Sequence, residues 1–269
     1  MKKIFYLLLF ILPFTICSCG GEEDEPIIEN NDPQPEVKKD IISFTANGVS
    51  FNMILVEGGK FKMGSIEYYN VWDNEKPAHN VSLSDFYIGE TEVTQKLWKA
   101  VMGKNPSHFL GYDQRPVEQV SWDDCQEFIN KLNIITGKQF RLPTEAQWEF
   151  AALGGNKSQN WNYSGSNDIN EVAWYYSNSA KTTNPVGSKK ANELGIYDMS
   201  GNVFEWCQDY YGLYSEEDQT NPTGPASGEE RITRGGCFID GQGCCRVKYR
   251  LAYFNPTSKD EYLGLRLAL

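Results

Sequence analysis

Apolar residues recur at helical spacing in three stretches of the chain. Leu97, Trp98, Val101 and Met102 share one face of a segment that Thr94 can cap and Gly103 can end. Trp122, Cys125, Phe128, Ile129 and Leu132 form a second stripe. Ser121 opens it, with Asp124 three residues on in a capping-box position, and Gly137 closes it. A third helix is predicted from Pro143-Thr144-Glu145-Ala146-Gln147, a Thr-x-x-Gln box, to Gly154-Gly155. Period-two alternation, the strand signal, appears at Val81/Leu83, at Val247/Tyr249/Leu251/Tyr253 and at Leu263/Leu265/Leu267/Leu269. Between Gly154 and Arg231 runs a long stretch rich in Gly, Asn, Ser, Pro and Tyr with little period. Ordering it costs backbone entropy, so buried Trp side chains or bound cations are expected to pin it. Residues 41–269 read as one α+β domain without internal repeats.

The first forty residues follow another logic. Lys2 and Lys3 precede the apolar run Ile4–Ile16, which is too short to cross a hydrocarbon core of ~30 Å and reads as a signal peptide over residues 1–18. Ile16-Cys17-Ser18-Cys19-Gly20 resembles a bacterial lipobox. Cys19, preceded by the small Ser18, fits lipid attachment better than Cys17; the alternative is ordinary secretory cleavage nearby. Residues 20–40 hold eight acids, two lysines and three prolines, the composition of a solvated, disordered tether that begins at Cys19. An acidic run directly after a lipidated cysteine also resembles the surface-export signal of Bacteroidetes-type lipoproteins. The expected location is therefore the outer membrane, lipid-anchored, with export to the cell surface; a plain spacer is the alternative.

Charge narrows the partners. Lys+Arg is 25 against 36 Asp+Glu, a net charge of −11, which repels polyanions and argues against nucleic acid. Aromatic residues make up 13%, and rings with polar handles suit peptide or carbohydrate recognition as well as cores.

A series of motifs then points to a family. It starts with Met53-Ile54-Leu55-Val56-Glu57-Gly58-Gly59 through Met63-Gly64-Ser65, followed by Phe86-Tyr87-Ile88 with Glu92-Val93-Thr94. Pro116-Val117 with Val120-Ser121-Trp122 comes next, then Arg141-Leu142-Pro143-Thr144-Glu145-Ala146-Gln147-Trp148-Glu149. The last pieces are Gly195-Ile196-Tyr197-Asp198-Met199-Ser200-Gly201-Asn202-Val203-Phe204-Glu205-Trp206, Arg234-Gly235-Gly236 and Leu263-Gly264-Leu265-Arg266. In this order they resemble the formylglycine-generating enzyme (sulfatase-modifying factor) family. The resemblance implies a variant of the C-type-lectin-like fold: low regular secondary structure, a small twisted sheet and about three helices packed around long loops.

The resemblance also implies two sites. One is a structural Ca²⁺, held by the carboxylates of Asp198 and Glu205 and the backbone carbonyls of Gly201 and Val203. The alternative there is a solvated acidic turn beside a buried Glu205. The other is the oxidase centre, where two cysteines bind Cu(I) and convert a substrate cysteine to formylglycine. Counting from Arg234-Gly235-Gly236, the first of those positions is Asp240 and the second Cys245. A carboxylate is a hard, poor ligand for Cu(I), so copper is doubtful. Cys237 with Cys245 is a conceivable replacement pair; a disulfide or buried thiols are the ordinary readings.

With Cys17 lost with the signal peptide and Cys19 acylated, Cys125, Cys207, Cys237, Cys244 and Cys245 remain, an odd set that leaves a thiol unpaired in a monomer. A disulfide of the animal enzymes falls here on Ala152 and Leu267, where packing is expected instead. His79 reads as a structural contact, His108 as the organiser of its loop, and Glu145 and Glu149 as structural acids. Tyr163, Trp174, Tyr175, Tyr176, Tyr210, Tyr211 and Tyr214 are candidates to line a groove. No helical bundle is present to carry the histidines of iron-dependent sulfoxide synthases. The leading expectation is a surface lipoprotein diverged to bind a polypeptide or glycan. The alternatives are a formylglycine-generating oxidase with Cys245 as its retained ligand, or another activity in the same cleft.

Overall fold

Each predicted helix begins at the residue chosen to cap it. The computed structural model describes residues 40–66 and 72–269. The signal peptide over 1–18, lipidation at Cys19 and the tether, apart from Asp40, lie outside the described residues. Helix α1 spans Gln95–Met102, with the Thr94 side chain accepting from the Leu97 amide and Gly103 at a left-handed φ of 79°. Helix α2 spans Trp122–Thr136 behind a Ser121/Asp124 capping box and stops at Gly137, φ 66°. Helix α3 spans Glu145–Ala152 behind the Thr144/Gln147 box. It differs in kind from the other two, because all its residues but Gln147 are buried. A helix enclosed on every side must satisfy its own charges, and α3 carries Glu145 and Glu149. A single-turn α4, Ile169–Val172, sits inside the irregular stretch.

The strands are short and divided among three sheets rather than gathered in one. The first is β1 (Ile41–Ala46), β2 (Val49–Val56) and β5 (Phe86–Gly89), in the order β1-β2-β5 and all antiparallel. The second is β3 (Gly59–Met63), β4 (His79–Leu83) and β7 (Gln219–Thr220), with β7 parallel to β4. The third has the order β10-β6-β8-β9: β6 is Phe204–Tyr210, β8 Arg231–Arg234, β9 Arg250–Phe254 and β10 Leu263–Gly264.

Two strand expectations change. The alternation from Val247 does not start a strand there, because the Tyr249 amide closes a turn on the Arg246 carbonyl and pairing begins at Arg250. The alternating leucines form a strand only at Leu263–Gly264. Beyond it the extended chain is stitched to several neighbours: Val93 donates to the Leu265 carbonyl, Gly89 to Leu267, Tyr87 and Leu269 to each other, and Arg141 and Ala268 to each other.

Two apolar clusters fill the interior. One joins α1 and α2 to the third sheet and the C-terminal segment through Trp98, Phe128, Leu132, Trp206, Leu263 and Leu265. Its Trp98 and Phe128 rings stack at 4.8 Å. The other wraps α3 with Val56, Val81, Ile88, Met199 and Ile232. The long irregular stretch is held by side chains bonded to backbone. Asn192 donates to the Ala151 carbonyl at 2.8 Å, and its own oxygen accepts from Leu194 and Ile196. Ser164 reaches the Ala152 carbonyl and Ser179 the Phe238 carbonyl.

Candidate functional site

Two glycines after β8 bring the expected catalytic positions together. Gly235 and Gly236 have φ of 98° and 73°. A Cβ on Gly236 would lie 2.7 Å from the Cys244 carbonyl oxygen, so only glycine lets the turn at 237–240 press against the turn at Gln242–Cys245. The Asp240 Oδ2 accepts from the Cys237 amide at 3.2 Å and faces the Cys237 Sγ at 3.2 Å. Cys245 is buried beside them, its Sγ 3.9 Å from the Gly241 carbonyl. Burial first, and the Asp240 charge second, push both thiols well above the ordinary cysteine range. The five cysteines among the described residues are free thiols, so no disulfide forms there. Asp240, Cys237 and Cys245 thus meet as one hard carboxylate among buried thiols, and the Asp240 oxygen is a poor ligand for Cu(I).

The surroundings of this turn are aromatic and partly open. The Tyr176 amide donates to the Asp240 carbonyl, and Tyr176 is 57% exposed. Ile239 is exposed, and the exposed Trp72 ring lies 6.4 Å from Tyr249. Beside it, Glu118 fixes the loop of His108 by accepting from the His108 and Phe109 amides, each at 2.9 Å. Phe109 in turn packs edge-on to Phe238.

The segment from Asp198 to Glu205 is a tight loop leading into β6. Asp198, Gly201 and Asn202 all have positive φ, and a Cβ on Gly201 would meet the Trp174 carbonyl oxygen at 2.3 Å. Asp198 accepts from the Gly187 amide at 2.7 Å. Glu205 is fully buried; Arg266 grips its carboxylate, with Nη2 to Oε1 at 2.6 Å, and Trp148 Nε1 donates to Oε2 at 2.6 Å. Glu92, which the sequence reading missed, accepts from the Asn202 side chain at 2.7 Å and the Val203 amide at 3.1 Å. Burial, with the charges of Asp198 and Glu205, raises the Glu92 carboxyl well above its usual range, and burial pushes Asp198 up to about 6. Three buried carboxylates thus face one buried guanidinium. All-oxygen donors with excess negative charge fit a hard divalent cation, which Asp198, Glu205 and the Gly201 and Val203 carbonyls would hold. No three His, Cys, Asp or Glu side chains converge as a metal cage among the described residues, so backbone carbonyls would have to complete the shell.

A second buried network surrounds α3. Glu145 receives Arg250 Nε and Nη2, both at 2.7 Å, and the Tyr214 hydroxyl at 3.1 Å. Against the burial that would raise it, Arg250 and Arg234 hold the Glu145 carboxyl below its usual range. Glu149 pairs with Arg234 and accepts from the Gly64 amide at 2.8 Å. Both acids are structural, as their motif implies. His79 is buried, 4.8 Å from the Tyr214 ring, with Nδ1 3.2 Å from the Pro77 carbonyl. The candidate aromatics do not share one groove. Tyr210 and Tyr214 line a cavity of ≈ 470 Å³, Tyr211 and Tyr214 lie against Arg250, and Tyr163 and Tyr175 pack around Cys245. Asp209, also missed, lines that cavity, and burial together with the Glu145 charge pushes it up to about 7.

Comparison with known proteins agrees with this geometry. Residues 41–269 match the family described as "Sulfatase-modifying factor enzyme 1-like domain". Chaperone protein LppX of Paenibacillus barcinonensis is 39% identical over 251 residues, which cover 75% of this chain and 83% of that protein. The formylglycine-generating enzyme of Streptomyces coelicolor is 28% identical over 284 residues, 80% of this chain and 88% of the enzyme. Serine/threonine-protein kinase pkn1 of Chlamydia caviae is 31% identical over 245 residues, but the match spans only 37% of the kinase. Among solved structures, Treponema denticola variable protein 1 gives a TM-score of 0.79 at 35% identity, covering 86% of this chain and 99% of that one. PvdO from Pseudomonas aeruginosa gives 0.73 at 24% identity with the same coverage. The expected α+β fold, the formylglycine-generating-enzyme-like variant of the C-type-lectin-like fold, is the fold observed.

Asp209 generates a pH prediction. Its folded carboxyl titrates at about 7 against 3.8 for the free group, so between those values the folded state keeps a proton that the unfolded state releases. This contribution to stability is full below the unfolded value and is lost as pH rises through the folded one. Asp209→Asn removes it. Urea unfolding should therefore show the variant gaining on the wild type from about pH 4 to about pH 7; parallel profiles would refute the assignment.

Proposed function

The chain belongs to the family of sulfatase-modifying factor enzyme 1-like domains, and on that premise we propose that it has diverged into a lipid-anchored module that binds polypeptide. The observation that carries this reading is Asp240. Its carboxylate, hydrogen-bonded to the Cys237 amide, stands where the oxidases of the family place a sulfur. With a hard carboxylate at the first position, the turn lacks the sulfur pair by which the oxidases hold Cu(I) for oxygen activation, and Cys237 and Cys245 stay as buried thiols beside it. What remains is a carboxylate with exposed Tyr176 and Ile239 beside it and the exposed Trp72 near Tyr249, a surface suited to extended chain. The relative named as a chaperone supports polypeptide as the ligand class.

The rest of the reading concerns anchoring and the ion. Cys19 carries the lipid of a Bacteroidetes-type lipoprotein, and the acidic tether after it directs the domain to the outer face of the outer membrane. Ca²⁺ at Asp198, Gly201, Val203 and Glu205 plays a structural part: it offsets the carboxylate excess around Arg266 and stiffens the loop that leads into β6.

Four measurements test this. The full chain loaded with Cu(I) under air and given a Cys-x-Pro-x-Arg peptide should yield no aldehyde by mass spectrometry. The same protein should bind a permanently unfolded, carboxymethylated polypeptide, and Trp72→Ala with Tyr176→Ala should weaken that binding by about tenfold at unchanged Tm. Stoichiometric copper with aldehyde product would overturn the reading. For the ion, Ca²⁺ at about 100 times its Kd should stabilise chelator-treated protein by about 2.7 kcal/mol. Asp198→Ala should abolish that response; an equal response in the variant would place the ion elsewhere. For the anchor, Cys19→Ser should move the protein from the membrane fraction to the soluble fraction, and retention would remove Cys19 as the attachment point.

A further inference from the structure

We propose that the cavity beside Asp209 is a binding site for an alkyl-guanidinium or alkyl-ammonium group, the head of an arginine or lysine side chain. A buried carboxylate lines this cavity, and no Lys, Arg or His nitrogen among the described residues ion-pairs with it. The site is built from residues other than the Asp240 turn and does not rest on the reading given above.

The other buried charges of this region are matched. Glu145 is satisfied by Arg250, and Glu149 by Arg234. Arg250 also lines the cavity but forms no ion pair with Asp209: its Nε and one Nη2 hydrogen go to Glu145, and its Nη1 goes to the Asn74 and Gly212 carbonyls, each at 3.0 Å. Two further arginines lie in electrostatic reach without ion-pairing with it. Arg141 donates to the Gln147 side chain and the Leu142 carbonyl. Arg231 donates to the Gln208 carbonyl and is stacked between Trp122 and Tyr210, 3.8 and 3.3 Å from the ring centres. Asp209 itself is 4% exposed and accepts one hydrogen bond from outside its own residue, from the Glu145 amide at 3.0 Å. A carboxylate taken from water at that depth needs a positive partner or a proton.

The walls select the kind of cation. The cavity holds ≈ 470 Å³ and is lined by Tyr210, Tyr214, His79, Pro222, Thr223 and Pro225, among others. A metal ion would need several hard oxygens aimed at one point; of the two carboxylates in the lining, Glu145 is already held by Arg250, and Asp209 by itself does not supply them. Arg231 and Arg250 already cover one face each of Tyr210 and Tyr214, so an organic cation would pack its alkyl stem on the remaining ring and proline surface while its head reaches Asp209. The loop over the site is held at both ends. Gln219 pairs with Val81, and a Cβ on Gly224 would lie 2.8 Å from the Asp209 Cβ. Burial raises the Asp209 carboxyl, as expected of a charge that lacks its counter-ion.

The test is an NMR titration of the full chain near neutral pH with Nα-acetyl-arginine amide, Nα-acetyl-lysine amide and the neutral Nα-acetyl-citrulline amide. Saturable shifts at cavity residues with either cation, and at least about tenfold weaker binding of the citrulline compound, support the site. Asp209→Asn keeps an acceptor for the Glu145 amide and should weaken the cations by at least about tenfold. Thr223→Trp should block entry with Asp209 intact, which covers the case in which the first variant folds poorly. Equal binding of citrulline, unchanged binding in both variants, or no saturable shift with either cation would overturn the proposal.

Discussion

Arginine–carboxylate pairs buried between distant parts of the chain hold this domain in register. Arg250 and Glu145 are 105 residues apart, Arg234 and Glu149 are 85 apart, and Arg266 and Glu205 are 61 apart. Strands of two to eight residues in three separate sheets cannot by themselves fix where one sheet sits against the next. A fork-shaped guanidinium facing a carboxylate admits few arrangements, and here each pair ties a strand or the C-terminal segment to α3 or β6. Such pairs add little net stability over apolar packing, since desolvation offsets most of their attraction. Removing one partner costs about 3–5 kcal/mol, because the other charge is then stranded. Their contribution is to select one packing of a loop-rich chain.

The same principle separates the places where charge is settled from those where it is not. Around α3 the acids and arginines balance, and the motif that carries Glu145 and Glu149 is scaffold. Around Arg266 a single cation faces Glu92, Asp198 and Glu205, and Asp209 lines a cavity without an ion pair, next to the paired Glu145 and Arg250. At the 237–245 turn Gly235 and Gly236 hold two turns in close approach, and the side chain presented there is a carboxylate, Asp240. Framework and reactive group are thus separable in this fold: the glycines fix the approach of two turns, and the residue presented there decides what they can hold.

Much of the scaffold could be read from residues whose effect is local. Thr94, Ser121 and Thr144 announced their helices because a capping hydroxyl acts within three residues of itself. The turn at 246–249 was hidden, since Val247 and Tyr249 are buried by tertiary contacts without belonging to a strand. Arg266 sat between Leu265 and Leu267 in what read as simple alternation, although both faces of that segment are buried. Glu92 and Asp209 were illegible for a related reason. Each looks like an ordinary surface acid in sequence, and only the approach of Asn202 and Val203 to the one, and of Glu145 to the other, reveals burial. Asp240 could be singled out in sequence because it is an oxygen at a position, counted from Arg234-Gly235-Gly236, where the resemblance implies sulfur.

The seam formed by residues 263–269 has a consequence for how the chain acquires its shape during synthesis. This ribbon bonds to β6, to β5, to Val93 and to Arg141, and it delivers Arg266 to Glu205. Until it leaves the ribosome, those edges stand unpaired and a buried glutamate lacks its cation. Parts of the fold as far apart as β5, Val93, Arg141 and β6 therefore wait on this one segment and close together when it docks.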